Sequence, residues 1–112
     1  SIPDDFTIID AGCGQAFQAY YFKDKKQYIG IDPAVPNEWR LKTNNSLHYC
    51  ESMQTFIAKG SHGMKLDIDK TFVICSAVPD EGCAKAIMEN FKYYRIVYPD
   101  SPPFIAFPSF RN

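Results

Sequence analysis

The stretch TIIDAGCGQAF, Thr7 to Phe17, decides how the rest of the chain is read. Phe6-Thr7-Ile8-Ile9 is a run of β-branched and aromatic residues, the composition of a buried strand. It closes on an acid, Asp10. Gly12 and Gly14 follow, and two glycines so close together break a strand. Glycine takes positive φ and leaves its backbone bare, so a ligand can come close. A tight turn and the floor of a nucleotide site both begin this way, and the flanking residues discriminate between them.

Downstream, Gln15–Lys23 places Phe17, Tyr20 and Tyr21 at i, i+3 and i+4, which predicts a helix with one apolar face. Lys23, Lys25 and Lys26 sit at its end, where cations suit the dipole. Gln27–Asp32 predicts a second strand, again ending on an acid. Pro33 and Pro36 then stop regular structure. Asn37–Thr43 reads as a short helix with Trp39 covering the core. Leu47–Glu51 is the third strand, and Ser52–Lys59 a short helix with Met53, Phe56 and Ile57 on one side. Gly60–Asp69 is rich in glycine and charge and reads as a loop. Thr71–Ser76 is the fourth strand. Pro79-Asp-Glu-Gly opens a helix in which Cys83, Ala86, Ile87 and Phe91 recur at helical spacing, with Asp80 and Glu81 in its first turn. Tyr93–Tyr98 is the fifth strand, and Phe104–Phe107 a short edge strand crowded by prolines. This alternation predicts an α/β fold: a three-layer sandwich around a mostly parallel sheet of five or six strands, joined by right-handed crossovers.

The chain has 112 residues, enough for one domain spanning 1–112. A domain of that length buries roughly 65% of the surface its unfolded chain exposes, which supports one core. The net charge of −1 lacks the electrostatic footprint of a strong nucleic-acid binder. Nine Phe and seven Tyr supply core side chains and stacking surfaces. None of the four cysteines forms a C-x-x-C pair, and three sit in or beside apolar runs, so the reading is reduced thiols in a cytoplasmic protein. His48-Tyr-Cys50 holds two metal-type ligands with no second pair at ligand spacing, which favours packing over metal binding. No apolar stretch approaches 18 residues, so no membrane span is expected. The chain opens on Ser1 and not Met, which leaves processing or excision from a longer protein as the expectation.

Ligands of parallel α/β sheets bind outside the carboxyl ends of the strands. Asp10-Ala-Gly-Cys-Gly14 lies at such an end, and the first turn of the next helix would aim its free N–H groups there. Asp32 closes the second strand eighteen residues beyond Gly14. A carboxylate there accepts hydrogen bonds from both hydroxyls of a ribose. Dinucleotide enzymes require a small residue at the last position of G-x-G-x-x-G. Phe17 occupies that position, which argues against NAD and FAD.

Asp10-Ala-Gly-Cys-Gly14 resembles motif I, acid-x-Gly-x-Gly, of the class I S-adenosylmethionine-dependent methyltransferases. Tyr28-Ile-Gly-Ile-Asp32 resembles the segment that follows it in that family. The resemblance is specific over residues 7–33 and loose to about residue 91, and Ala16 stands where the family has its third motif-I glycine. It implies a minimal Rossmann-like fold and S-adenosylmethionine as cofactor. Asp10, Ala11, Gly12, Cys13 and Gly14 would form the cofactor loop, with Gly12 and Gly14 on the methionine part and Asp10 bracing the loop or the amino group. Asp32 would take the ribose, and Glu51, Ser52 and Met53 would meet the adenine. The catalytic group would follow the fourth strand, in Ser76–Glu81, with Ser76 also against the cofactor and Asp80 or Glu81 as base. Both acids are also ordinary helix-start residues, and their position favours that role.

Asp100-Ser-Pro-Pro-Phe104 resembles the [DNS]-P-P-[YF] signature of methyltransferases that modify base amino groups, which would imply a nucleic-acid substrate. That signature follows the fourth strand in the family. Here it follows the fifth, where a proline-stiffened edge segment is the alternative. Members of the family run well beyond 112 residues, so a protein partner or a second copy is expected to complete the site. Three functions are consistent with these residues: a minimal methyltransferase, a catalytically degenerate cofactor-binding or stimulatory subunit, and an enzyme that cleaves S-adenosylmethionine. The compact, aromatic-rich composition also suits a viral protein.

Overall fold

Strand β1 (Thr7–Ala11) is buried along its whole length, which is why it reads as a nearly unbroken apolar run. The computed structural model describes residues 2–76, 80–98 and 104–106. In it β1 lies inside a six-stranded sheet of order β3-β2-β1-β4-β5-β6. β1 pairs in parallel with β2 (Gln27–Ile31) and β4 (Thr71–Cys75). β3 (Ser46–Tyr49) runs parallel outside β2, and β5 (Tyr93–Ile96) parallel outside β4. The short β6 (Phe104–Ala106) closes that edge antiparallel to β5. The expected mostly parallel sheet is therefore present. The Asp100–Pro103 part of the proline signature lies outside the described residues.

Successive strand side chains point to opposite faces. Ile9, Ala11, Ile29, Ile31, Val73 and Cys75 face one side. There they pack with Met53 and Phe56 of α2 (Met53–Ala58) and with Ala84 and Ile87 of α3 (Glu81–Asn90). Ile8, Tyr28, Phe72 and Ile74 face the other side, packing with Phe6, Ala16, Ala19 and Phe22 around α1 (Gln18–Tyr21). Helices thus cover both faces. Each large side chain so buried contributes about 1.5–3 kcal/mol relative to exposure. Side-chain caps start the longer helices: Ser52 Oγ accepts from the Thr55 N–H at 3.1 Å, and Asp80 Oδ1 from the Cys83 N–H at 2.6 Å.

Two apolar expectations are corrected. The helix over Gln15–Lys23 shrinks to the single turn of α1. Phe17, Tyr20 and Tyr21 are 72%, 62% and 79% exposed, and the face turned inward is Ala16, Ala19 and Phe22. Two alanines let the backbone settle closely on the sheet, a packing that leaves the larger rings outside. The Lys23 ammonium lies 4.2 Å from the Tyr20 ring centroid. Trp39, expected over the core, ends a 3-10 turn (Asn37–Trp39) and is 67% exposed, and the next residue, Arg40, is the one buried. Residues 60–70, read mostly as loop, carry a left-handed turn over Gly60–Gly63 and a 3-10 turn over Ile68–Lys70. The four cysteines, all among the described residues, form no disulfide. Among the described residues no helix is long and apolar enough to cross a membrane.

Candidate functional site

The glycine turn is built on alternating left-handed residues. Gly12 has φ 76°, Gly14 φ 58° and Ala16 φ 60°. Ala16 therefore holds a backbone conformation that favours glycine, at the position where the methyltransferase motif has one. The turn folds down onto the end of β2. The N–H groups of Gly12 and Cys13 donate to the Ile31 carbonyl at 2.7 and 3.1 Å, and the Ala16 N–H donates to the Cys13 carbonyl at 2.9 Å. The Gly14 N–H donates to Asp32 Oδ2 at 2.9 Å. The expectation of a helix start aiming its N–H groups at a ligand is corrected here. α1 begins only at Gln18, and the N–H groups of Gly12, Cys13, Gly14 and Ala16 are used internally.

Asp32 is half-buried and bridges two loops. Besides Gly14, the Ala34 N–H donates to its Oδ1 at 2.7 Å. A carboxylate has about four lone-pair sites, so two remain for a further donor pair.

Asp10 lies on the α1 side of the sheet, in the same strand phase as Ile8. It is 2% exposed, and its Oδ2 accepts from the Tyr28 hydroxyl at 2.5 Å. Burial pushes its carboxyl up to about 6, the Tyr28 hydrogen bond opposes this, and the charge of Asp32 adds to the rise. Its carboxylate is thus tied to Tyr28 of β2. Burial likewise pushes the half-buried Cys13 thiol up to about 12. Gly30 makes room for both neighbours: a Cβ there would stand 2.9 Å from His48 Nδ1 and 3.1 Å from Cys13 Sγ. His48 Nε2 meets Ser46 Oγ at 3.1 Å, while its buried Nδ1 has no hydrogen-bond partner among the described residues.

Sequence reasoning missed Arg40. Its guanidinium, 5% exposed as a residue, donates to the carbonyls of Gly30 (2.9 Å), Asp32 (2.8 Å), Val35 (2.9 and 3.2 Å) and Tyr49 (3.0 Å). Four carbonyls at the ends of β2 and β3 are thereby satisfied by one side chain.

A cavity of about 150 Å³ opens on the α2–α3 side of the turn. Ala11 and Gly12 line it, with Ile31 and Pro33 from the end of β2, Ser52, Met53 and Gln54 at the start of α2, and Cys75, Asp80 and Cys83 from β4 and α3. Of the expected site residues, Ala11, Gly12, Ser52, Met53 and Asp80 are brought together here. Gly14 and Asp32 are joined to each other next to it in the chain. Asp80 caps α3 while also accepting from Gln54 Nε2 at 3.2 Å, both bonds falling on Oδ1. Ser76 follows Cys75 and is exposed. Glu81 lines a different groove, with Lys85, Glu89 and Tyr98. Ile31 and Cys75 were legible through register, since both pair with Ala11 and share its face.

Glu51 is engaged elsewhere. Its carboxylate meets His62 Nε2 at 2.8 Å and Lys59 Nζ at 3.2 Å. Burial alone would raise its pKa, but these hydrogen bonds outweigh it and hold the carboxyl below its usual value. The His62 ring stacks on Tyr49, centroids 4.3 Å apart. His62 reaches this position through four consecutive left-handed residues, Gly60 to Gly63, with φ 61°, 54°, 53° and 81°.

No protein-family model, no curated protein and no solved structure matches the chain.

Proposed function

We propose that the chain is a minimal Rossmann-like domain that binds S-adenosylmethionine, in the manner of the class I methyltransferases it resembles. The observation that carries the reading is the hydrogen bond from the Gly14 N–H to Asp32 Oδ2, 2.9 Å, beside a cavity lined by Gly12, Ser52 and Met53. It joins the two motif segments into one unit at the carboxyl ends of the strands, the ligand edge of such sheets. The internal use of the turn's N–H groups adds support. A pyrophosphate needs open donors at this position, whereas S-adenosylmethionine carries no phosphate. The antiparallel β6 is a further departure from the parallel order of the dinucleotide fold.

Gly12 and Gly14 would pass the methionine part, Asp32 would hold the ribose and Ser52 and Met53 would flank the adenine. Methyl transfer from a sulfonium asks chiefly for in-line placement of the acceptor and at times for a base. Asp80 is the acid placed to serve, since it lines the cavity. Glu81 lies on the other groove, Glu51 is paired with His62 and Lys59, and Asp10 is buried against Tyr28. This commitment of the remaining acids also favours a second reading, a cofactor-binding subunit whose partner carries the chemistry. Titration calorimetry with S-adenosylmethionine and S-adenosylhomocysteine tests the common core of both readings. Binding of either supports it, and binding of neither removes it. Product analysis after incubation with the cofactor and with RNA, DNA or protein acceptors then separates transfer, cleavage and binding alone.

A further inference from the structure

We propose that Cys75 and Cys83 form a redox-active dithiol in the wall of the cavity, oxidised to an intramolecular disulfide by hydroperoxides. Cys75 ends β4 and is 2% exposed, while Cys83, in the first turn of α3, is half-buried. Both line the same cavity. Cys75 belongs to the core cluster beneath the cavity and Cys83 packs against that same cluster. The pair is made by the fold, since a strand end and a helix start supply one thiol each and no C-x-x-C motif announces it.

The two sulfurs have different roles. The hydrogen bond from Cys75 lowers the Cys83 thiol against the effect of its burial. Cys83 also sits in the first turn of α3, where the dipole favours a thiolate and the capping Asp80 carboxylate opposes one. Cys83 is therefore the attacking sulfur and Cys75 the resolving one. The Cys83 thiolate attacks one oxygen of the hydroperoxide, the O–O bond breaks, and hydroxide or alkoxide leaves with the electron pair. Cys83 is now a sulfenic acid. The Cys75 sulfur attacks the Cys83 sulfur as its proton is lost, the S–S bond forms, and the sulfenic oxygen departs as water. Two thiols and one hydrogen peroxide give one disulfide and two waters. Cys13 is a poorer candidate, its thiol being pushed up by burial to about 12, and the exposed Cys50 lies near the Pro33 carbonyl at 3.7 Å.

A disulfide spans only about 2.05 Å between sulfurs, so it would draw the first turn of α3 towards the end of β4 and narrow the cavity. The effect on cofactor binding rests on the function proposed above, whereas the oxidation itself does not.

The test treats the full chain with one equivalent of hydrogen peroxide, followed by alkylation and peptide mapping. The expected result is an intact mass lower by two hydrogens and a peptide pair joining Cys75 to Cys83, reversed by a thiol reductant. Cys83→Ser abolishes the pair and Cys50→Ser does not. Cys75→Ala, checked for its fold by circular dichroism, leaves Cys83 as a sulfenic acid that dimedone captures. Cross-links through Cys13 or Cys50, or a sulfinic Cys83 beside a still alkylatable Cys75, overturn the proposal. S-adenosylhomocysteine is then titrated into both forms, with binding roughly tenfold weaker expected after oxidation. Equal affinity overturns the narrowing. Binding to neither form removes the cofactor reading while the mapped disulfide stands.

Discussion

The Tyr28 hydroxyl donates to Oδ2 of Asp10 across 2.5 Å, in a place closed to solvent beneath the glycine turn. The proton-binding strength of this carboxyl decides how the fold responds to pH. Burial raises it from 3.8 to about 6. Between those values the folded chain holds the proton more tightly than the unfolded chain does. Stability from this group is therefore full below pH 4, falls as pH rises towards 6, and is flat beyond. The loss is roughly 3 kcal/mol at most. Asp10→Asn should remove that slope and unfold at higher urea than wild type at pH 7. The difference between the two chains, measured in urea at pH 4, 5, 6 and 7, isolates Asp10 from other carboxylates. An unchanged slope in the variant means that Asp10 does not titrate as placed.

Asp32 carries a double load, tying Gly14 and Ala34 and, in the proposed function, holding the ribose. Asp32→Ala should weaken S-adenosylmethionine binding by roughly 1.5–3 kcal/mol, the scale of hydrogen bonds to a charged group. It should also lower the stability of the unliganded chain by about 1–2 kcal/mol through the two lost N–H bonds. Calorimetry and a ligand-free thermal melt read the two effects separately. Unchanged affinity with lowered stability would place the ribose elsewhere.

Gly30 leaves the space that the His48 ring and the Cys13 thiol fill. Gly30→Ala puts a methyl 2.9 Å from His48 Nδ1 and 3.1 Å from Cys13 Sγ. It should cost roughly 1–3 kcal/mol, as overpacking does. Adding His48→Ala should recover a good part of that loss. Strictly additive losses in denaturant melts would show that the ring of His48 is not the obstacle.

The exposed rings give a prediction opposite in sign to the helical pattern. Phe17→Ser and Trp39→Ser should each change unfolding free energy by no more than about 0.5 kcal/mol, as surface substitutions do. Ala19→Ser, on the inward face, should cost more, because it buries a hydroxyl. A large loss at Phe17 in chemical denaturation would return that ring to the core.

The strands were legible because both sheet faces are covered. Burial on two sides demands β-branched, apolar runs, and β1, β2 and β4 carry them. The glycine turn and its acid were legible because left-handed backbone and a strand-ending carboxylate leave marks in residue type. The face of α1 was not. Periodicity finds a ridge of large rings at 17, 20 and 21, yet close approach to the sheet selects the small residues 16 and 19. The side taken by Asp10 was recoverable from strand alternation with Ile8. Arg40 left no mark at all, because its partners are main-chain carbonyls, which every residue has.

The Arg40 guanidinium also bears on the thermodynamics of the site. By gathering the carbonyls of Gly30, Asp32, Val35 and Tyr49, it fixes the ends of two strands and the loop between them during folding. The ordering entropy of that edge is then met once, by the chain, and, in the proposed function, not again by each arriving ligand. Affinity at such an edge is governed by preorganisation more than by contact area. Arg40→Met should therefore reveal itself twice, as a fold weaker by roughly 2–4 kcal/mol and, in chain that is still folded, as binding with a larger entropic penalty in calorimetry. A loss of stability without that entropic change would confine Arg40 to holding the fold.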